Sequence, residues 1–155
     1  MSKLKPTFFV LFFLFSSLSL ANDTYDSMLQ LIDDAKKHIE KVGKERAFRD
    51  FSDNKGDFVR GDLYVYVHDF SGKAFAHGLD SRIVGLELSE RSAGAKKVVS
   101  ALMGVVSEKG SGIYEYYWKS PTKKELVQKL GYGSKIDDQY WIGSGIYNNK
   151  ATMGE

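Results

Sequence analysis

Met28, Ile32, Ala35, Ile39 and Val42 recur at alternating steps of four and three, which predicts one buried stripe of a long amphipathic helix over residues 23–51. Asp23 and Thr24 are suited to cap its N-terminus. Gly43 weakens the middle and marks a bend, after which Ala47, Phe48 and Phe51 resume the apolar face. The intervening Lys36, Lys37, Glu40, Lys41, Lys44 and Glu45 read as a solvated face, with His38 among them. Asp53-Asn54-Lys55-Gly56 then ends the helix.

The period changes to two at Asp62. In residues 63–68 Leu63, Val65 and Val67 face one side and Tyr64 and Tyr66 the other, so the aliphatic face suits packing on the helix. Asp69-Phe70-Ser71-Gly72 has turn chemistry, and residues 73–77 return as the second arm of a hairpin. Residues 78–90 follow neither period and are expected to be loop. From Ser92, the spacing of Ala95, Val99, Leu102, Met103 and Val106 predicts a second helix, stopped at Lys109-Gly110 and lying over the sheet.

Residues 112–147 read as three antiparallel strands separated by Lys-Ser-Pro-Thr-Lys and Lys-Ile-Asp-Asp-Gln. Tyr114, Tyr116 and Trp118 share one face, and Ile113, Glu115 and Tyr117 the other. On the last strand Trp141, Gly143, Gly145 and Tyr147 fall together. Its two glycines fit either tight backbone packing or room for a ligand.

With 155 residues and 43% hydrophobic content, one domain with its own core is expected. Met1 to Ala21 has the parts of a secretory signal: Lys3 and Lys5, an apolar run from Phe8, and the exit Ser19-Leu20-Ala21. Cleavage there leaves residues 22–155 as the mature domain, periplasmic or secreted. The alternative, an uncleaved anchor, needs roughly 20 uninterrupted apolar residues, more than this run supplies. No later segment is apolar enough to span a bilayer. Lys3 and Lys5 account for the excess of 22 basic over 20 acidic residues, so the mature chain is near neutral and lacks the basic surface of a nucleic-acid binder. The absence of cysteine removes disulfides, thiolate metal sites and cysteine nucleophiles.

Nothing in the sequence assembles catalytic chemistry. His38, His68 and His77 lie on different predicted elements without partners at metal-ligand spacing. No serine sits in a Gly-x-Ser-x-Gly elbow, and Asp53-Asn54-Lys55-Gly56-Asp57 lacks the spacing and closing glutamate of a calcium loop. No cofactor or metal is expected. Lys129, between Val127 and Leu130 on an interior strand, has two readings. It reaches solvent or pairs with Glu115 or Asp57, or its buried ammonium awaits the carboxylate of a ligand.

Several stretches, in order along the chain, resemble the single Cache domains of the second type, which are extracytoplasmic sensor domains. They include Val42-Gly43-Lys44-Glu45-Arg46-Ala47, the run from Phe58-Val59-Arg60-Gly61-Asp62 through Val67, and Gly72-Lys73-Ala74-Phe75-Ala76-His77. Tyr116-Tyr117-Trp118-Lys119-Ser120-Pro121, Lys129-Leu130-Gly131-Tyr132 and Ile142-Gly143-Ser144-Gly145-Ile146-Tyr147 complete the pattern. The resemblance implies an α+β, PAS-like antiparallel sheet with the long N-terminal helix on one face, and a helix and loops over a ligand pocket on the other. It implies a pocket for a small organic acid drawn from Tyr64, Tyr66, His77, Tyr116, Trp118, Lys129 and Tyr132. Lys129 and Tyr132 have opposite strand parity, so sharing that pocket requires a bulge at Gly131 or Gly133. Two departures stand out: Gly78 follows the histidine where the family usually has proline, and Arg91-Ser92-Ala93-Gly94 replaces its acidic residues, adding Arg91 at the pocket mouth.

The function expected is that of an exported, non-catalytic sensor for a small carboxylate. No kinase, methyl-accepting or cyclase module precedes Glu155, so its signal is expected to pass to a separate membrane receptor or sensor kinase, as in chemotaxis. The alternative is a periplasmic adaptor that uses the same fold to engage another protein.

Overall fold

Gly43 adopts φ +81° and divides the N-terminal helical segment in two. This is a backbone conformation that glycine enters at little cost. In the computed structural model, which describes residues 16–152, it separates α1 (Ser16–Val42) from α2 (Lys44–Phe51). Most of the expected signal segment therefore lies outside the described residues. Helix α1 begins at Ser16 rather than Asp23, so Asp23 and Thr24 lie within it and do not cap it.

Met28, Leu31, Ile32 and Ala35 are the buried stripe of α1, and Ala47, Phe48 and Phe51 that of α2. His38, expected on the solvated face, instead packs 5.0 Å from the Phe58 ring and hydrogen-bonds Asp50 at 2.8 Å. Lys36 leaves that face as well, donating to Ser134 on the sheet at 2.6 Å.

Seven strands follow: β1 (Val59–Arg60), β2 (Leu63–Tyr64), β3 (Tyr66–Asp69), β4 (Ala74–His77), β5 (Ser111–Lys119), β6 (Leu126–Lys135) and β7 (Tyr140–Thr152). The first two form a small ladder; the others form an antiparallel sheet in the order β4-β3-β7-β6-β5. Residues 63–68 are thus two short strands rather than one. The expected loop over residues 78–90 contains two 3₁₀ turns, Ser81–Ile83 and Leu88–Glu90, and its Gly85 and Leu86 exchange backbone hydrogen bonds with Ala74 on β4. Helix α3 (Ala93–Lys109) is capped by Ser92, whose hydroxyl accepts from the Ala95 amide, and ends at Gly110 in the left-handed conformation.

The sheet separates two cores. On one face Val65, Val67, Ala76 and Ile142 meet α1 and α2; on the other Tyr64, Tyr66 and Trp141 meet Val98, Val99, Leu102 and Val106 of α3. Each fully buried large side chain contributes roughly 1.5–3 kcal/mol by leaving water. The alternation read along β3 and β5 is the alternation observed: Ile113, Glu115 and Tyr117 are exposed, while Tyr114, Tyr116 and Trp118 turn inward toward α3.

Candidate ligand-binding site

Strand register places the polar groups of the α3 face in rows. Tyr116 on β5 lies opposite Lys129 on β6, which lies opposite Tyr147 on β7. A second row runs Gly112, Gly133, Gly143, Tyr66 and His77 across all five strands. The three successive glycines of this row and the adjacent pair Gly131 and Gly145 leave space that neighbouring side chains occupy. A Cβ on Gly143 would enter the Tyr66 ring, one on Gly145 would come within 2.5 Å of Lys129 Cε, and one on Gly131 within 2.6 Å of the Tyr116 ring. The glycines therefore admit the protein's own aromatic and lysine side chains close to the backbone. Gly143→Ala is expected to lower stability by about 1–3 kcal/mol in chemical denaturation, since a Cβ there meets the Tyr66 ring, which is packed against Trp141, His68 and His77.

Lys129 is 1% exposed. Its ammonium donates to the Tyr64 hydroxyl at 3.0 Å and to that of Tyr147 at 3.4 Å, and lies 4.3 Å and 4.6 Å from the centres of those rings. Phenol oxygens and ring faces replace water here, and cation–π contacts of desolvated cations are worth about 2 kcal/mol. Burial acts to lower the Lys129 pKa, while the Tyr64 and Tyr116 oxygens and the Asp62 carboxylate act to raise it; the net direction is upward and the side chain stays charged. Among the described residues it has no carboxylate ion-pair partner. Glu115 points to the other face and accepts from Gln128, and the chain does not reach solvent, so neither of those alternatives describes Lys129. Tyr64 accepts from Lys129, and among the described residues its other hydrogen-bond neighbour is the Tyr147 hydroxyl at 3.5 Å, at the limit of a useful bond. Burial raises the pKa values of Tyr66, Tyr116 and Tyr147, so these remain neutral phenols.

His77 Nδ1 accepts from the amides of Asp80 at 2.9 Å and Leu79 at 3.3 Å, which places the ring proton on Nε2. Burial, then the nearby Lys129 charge, pull its pKa down to about 3. Gly78 next to it has no space for a side chain, since a Cβ would come within 2.8 Å of Val59 and 3.1 Å of Tyr64. Arg91, between the second 3₁₀ turn and α3, is half-buried with its guanidinium 3.5 Å from His68 Nε2.

Tyr64, Tyr66, His77, Arg91, Tyr116, Trp118 and Lys129 border one inner cavity of about 30 Å³ together with His68, Trp141 and three α3 residues. That volume holds about one water molecule. Tyr64, His77, Arg91 and Trp118 also border an outer cleft of about 730 Å³, open to solvent and edged by Asp80, Glu90, Ser92, Lys119 and Lys124. These four side chains stand between the inner cavity and the cleft. Tyr132 does not belong to the group. It packs with the α1 core on the opposite face, because the β5–β6 pairing runs without interruption through Gly131 and Gly133. The bulge that would have turned it is absent, and its place in the pocket is corrected. A separate groove of about 590 Å³, between α2 and the start of β7, holds none of the expected site residues.

Residues 31–151 match the sequence profile of the Cache domain. The chain belongs to the Cache domain family. Cache domains are extracytoplasmic, ligand-binding sensor domains, and this one has the α+β, PAS-like architecture of its solved relatives. The sensor histidine kinase MctS of Rhizobium johnstonii is 28% identical over 90 residues, 56% of this chain. The matched stretch of this chain spans 19% of that kinase's length. A methyl-accepting chemotaxis protein from Vibrio parahaemolyticus superposes with TM-score 0.69 and 20% identity, over 86% of this chain and 94% of its own. A Cache chemosensory domain studied for carboxylic acid recognition superposes with TM-score 0.66 and 17% identity, over 86% of this chain and 99% of its own. Among the described residues no helix is long and apolar enough to cross a membrane.

Sequence reasoning missed His68, Trp141 and Tyr147 as members of this Cache site. Each had the right parity: His68 follows Tyr66 by two on β3, and Trp141 and Tyr147 share the glycine face of β7. Reading His68 and His77 as isolated on different elements hid that both lie near one ring, 5.8 Å and 6.2 Å from the centre of Tyr66.

Proposed function

We infer that this Cache domain is an exported, non-catalytic receptor for a small organic acid, and that its occupancy is read by a separate membrane receptor or sensor kinase. The observation that carries this reading is Lys129, a charged ammonium 1% exposed, on the face toward α3, with no carboxylate within ion-pair distance among the described residues and Asp62 as its nearest acidic influence. A buried charge left unpaired is costly, and a ligand carboxylate offsets that cost. The Tyr64 hydroxyl, held only by a long 3.5 Å contact with Tyr147, and the Nε2–H of His77 supply directional donors beside it. The inner cavity holds about 30 Å³, so an acid must part the rings at the mouth to enter. Trp118 is one of those rings and Trp141 lines the cavity, which makes intrinsic fluorescence a direct reporter.

A thermal-shift screen of short carboxylates and amino acids on the mature domain tests this, because selective binding to the native state raises apparent stability by mass action. At least one acid is expected to give a saturable shift with a matching change in tryptophan fluorescence. Export is tested separately: N-terminal sequencing of exported material is expected to begin at Asn22, and material beginning at Met1 and held in membranes would contradict it.

A second reading is favoured by one surface. Ile113, Tyr117 and Leu126, 50%, 41% and 49% exposed, lie on the side of β5 and β6 away from α3. An adaptor would present such a face to a protein partner. If no acid shifts the melting temperature while pull-down returns one stable partner, that reading replaces the first.

A further inference from the structure

The candidate site has two cationic poles. Lys129 forms the first. The second is Arg91 with His68, and both poles surround the same ring: Tyr66 lies 5.9 Å from Lys129 Nζ and 5.8 Å from the centre of the His68 imidazole. Neither cation forms an ion pair with a carboxylate of the described residues. Asp80, the nearest acidic influence on Arg91, gives both oxygens to Arg82 at 2.8 Å and 3.0 Å. Glu90, at the edge of the outer cleft, accepts the Glu87 amide at 2.7 Å.

Arg91 instead meets a neutral imidazole, with Nη1 3.5 Å from His68 Nε2, a long contact for a guanidinium whose usual partner is a planar anion. If Nε2 accepts from Arg91, the proton of His68 resides on Nδ1. That atom is buried, in a residue 2% exposed, and has no hydrogen-bond partner. Unmade hydrogen bonds of buried polar groups are rare in native folds and ask for an explanation. Two fixed positive charges and a residue with an orphaned N–H thus border one cavity whose lining contains no carboxylate, Asp62 acting on Lys129 from outside it. A single carboxylate on Lys129 leaves the second pole as it is. Arg91 borders both the inner cavity and the open cleft, so a group bound there has room that the inner cavity lacks.

Resting on the acid-binding reading above, we propose that Arg91 and His68 form a second anion subsite, and that the ligand is a short-chain dicarboxylate with one carboxylate at Lys129 and the other at Arg91. The aliphatic chain between them lies against the rings of Tyr66 and Trp118. Monocarboxylates occupy the Lys129 pole alone.

Calorimetric titration of the mature wild-type domain with succinate, malate, propionate and acetate tests the assignment. Succinate or malate is expected to bind at least about tenfold more tightly than propionate, since a second charge-assisted contact is made. In Arg91→Gln that preference is expected to shrink to within about threefold, and in Arg91→Lys to recover in part because the charge returns. Circular dichroism and the melting temperature report whether each variant is folded. Propionate binding as tightly as succinate, or a preference that Arg91→Gln leaves unchanged, overturns the second subsite while the receptor for a small acid stands. Absence of binding by every acid overturns both.

Discussion

Lys129→Met is expected to weaken binding of the acid by about 2–5 kcal/mol while the domain stays folded, the range for truncating one partner of a buried charge pair. The substitution acts with opposite signs in the free and the bound domain. In the unliganded fold the ammonium is enclosed at 1% exposure and held by phenols and ring faces, with no anion. Methionine matches its stem in length and removes the charge, so stability is expected to hold or rise. In the complex the same change removes the charge that compensates the carboxylate. Trp118→Ala is the informative contrast: it opens space beside Tyr116 and is expected to reduce stability and affinity together. A Lys129→Met protein that binds the acid as tightly as wild type moves the charge assignment to Arg91 or His77.

Acidification from pH 7 to pH 4 is expected to destabilise the fold steeply, with two buried histidines as the cause. Burial, aided by Arg91 at His68 and by Lys129 at His77, pulls both pKa values down to about 3. An unfolded histidine titrates near 6.5. The folded pKa lies below the unfolded one, so between these values the unfolded chain binds more protons and is favoured as the pH falls. The stabilisation is therefore fully present above about pH 6.5 and lost on the way to pH 3. Each histidine gives a slope of about 1.4 kcal/mol per pH unit, and the pair about 2.7. Asp34, Asp50 and Asp80 have lowered pKa values from their hydrogen bonds to Gln30, His38 and Arg82, and contribute only below the ordinary carboxylate range near 4. Urea denaturation at stepped pH separates the two windows, and His68→Phe is expected to remove about half of the slope between pH 6 and 4.5. A stability that is flat across that interval contradicts neutral, buried histidines.

The elements were legible because their periods were clean. The stripe of α1, the alternation on β5 and the glycine stop of α3 each follow from burial of one face, and burial is what the sequence pattern records. Within the site, parity along a strand placed Tyr64 with Tyr66, and Tyr116 with Trp118. What parity does not contain is the register between strands. Tyr116, Lys129 and Tyr147 form one row, and the glycine row meets Tyr66 and His77, only once five strands are aligned. Tyr132 shows the same limit from the other side. Its placement came from a motif shared with relatives, against its own parity, and the uninterrupted β5–β6 ladder follows the parity. The closeness of Arg91 to His68 depends on how residues 78–90 return along β4, and an irregular stretch carries no period from which to read it.

The central claim is that a ligand carboxylate compensates the buried charge at Lys129. Calorimetry of the tightest-binding acid against its uncharged amide isostere on the mature domain tests this most directly, because the two differ in charge and hardly in shape. The acid is expected to bind saturably and the amide at least about a hundredfold more weakly, with the difference lost in Lys129→Met. Equal binding of acid and amide, or of wild type and Lys129→Met, would contradict it.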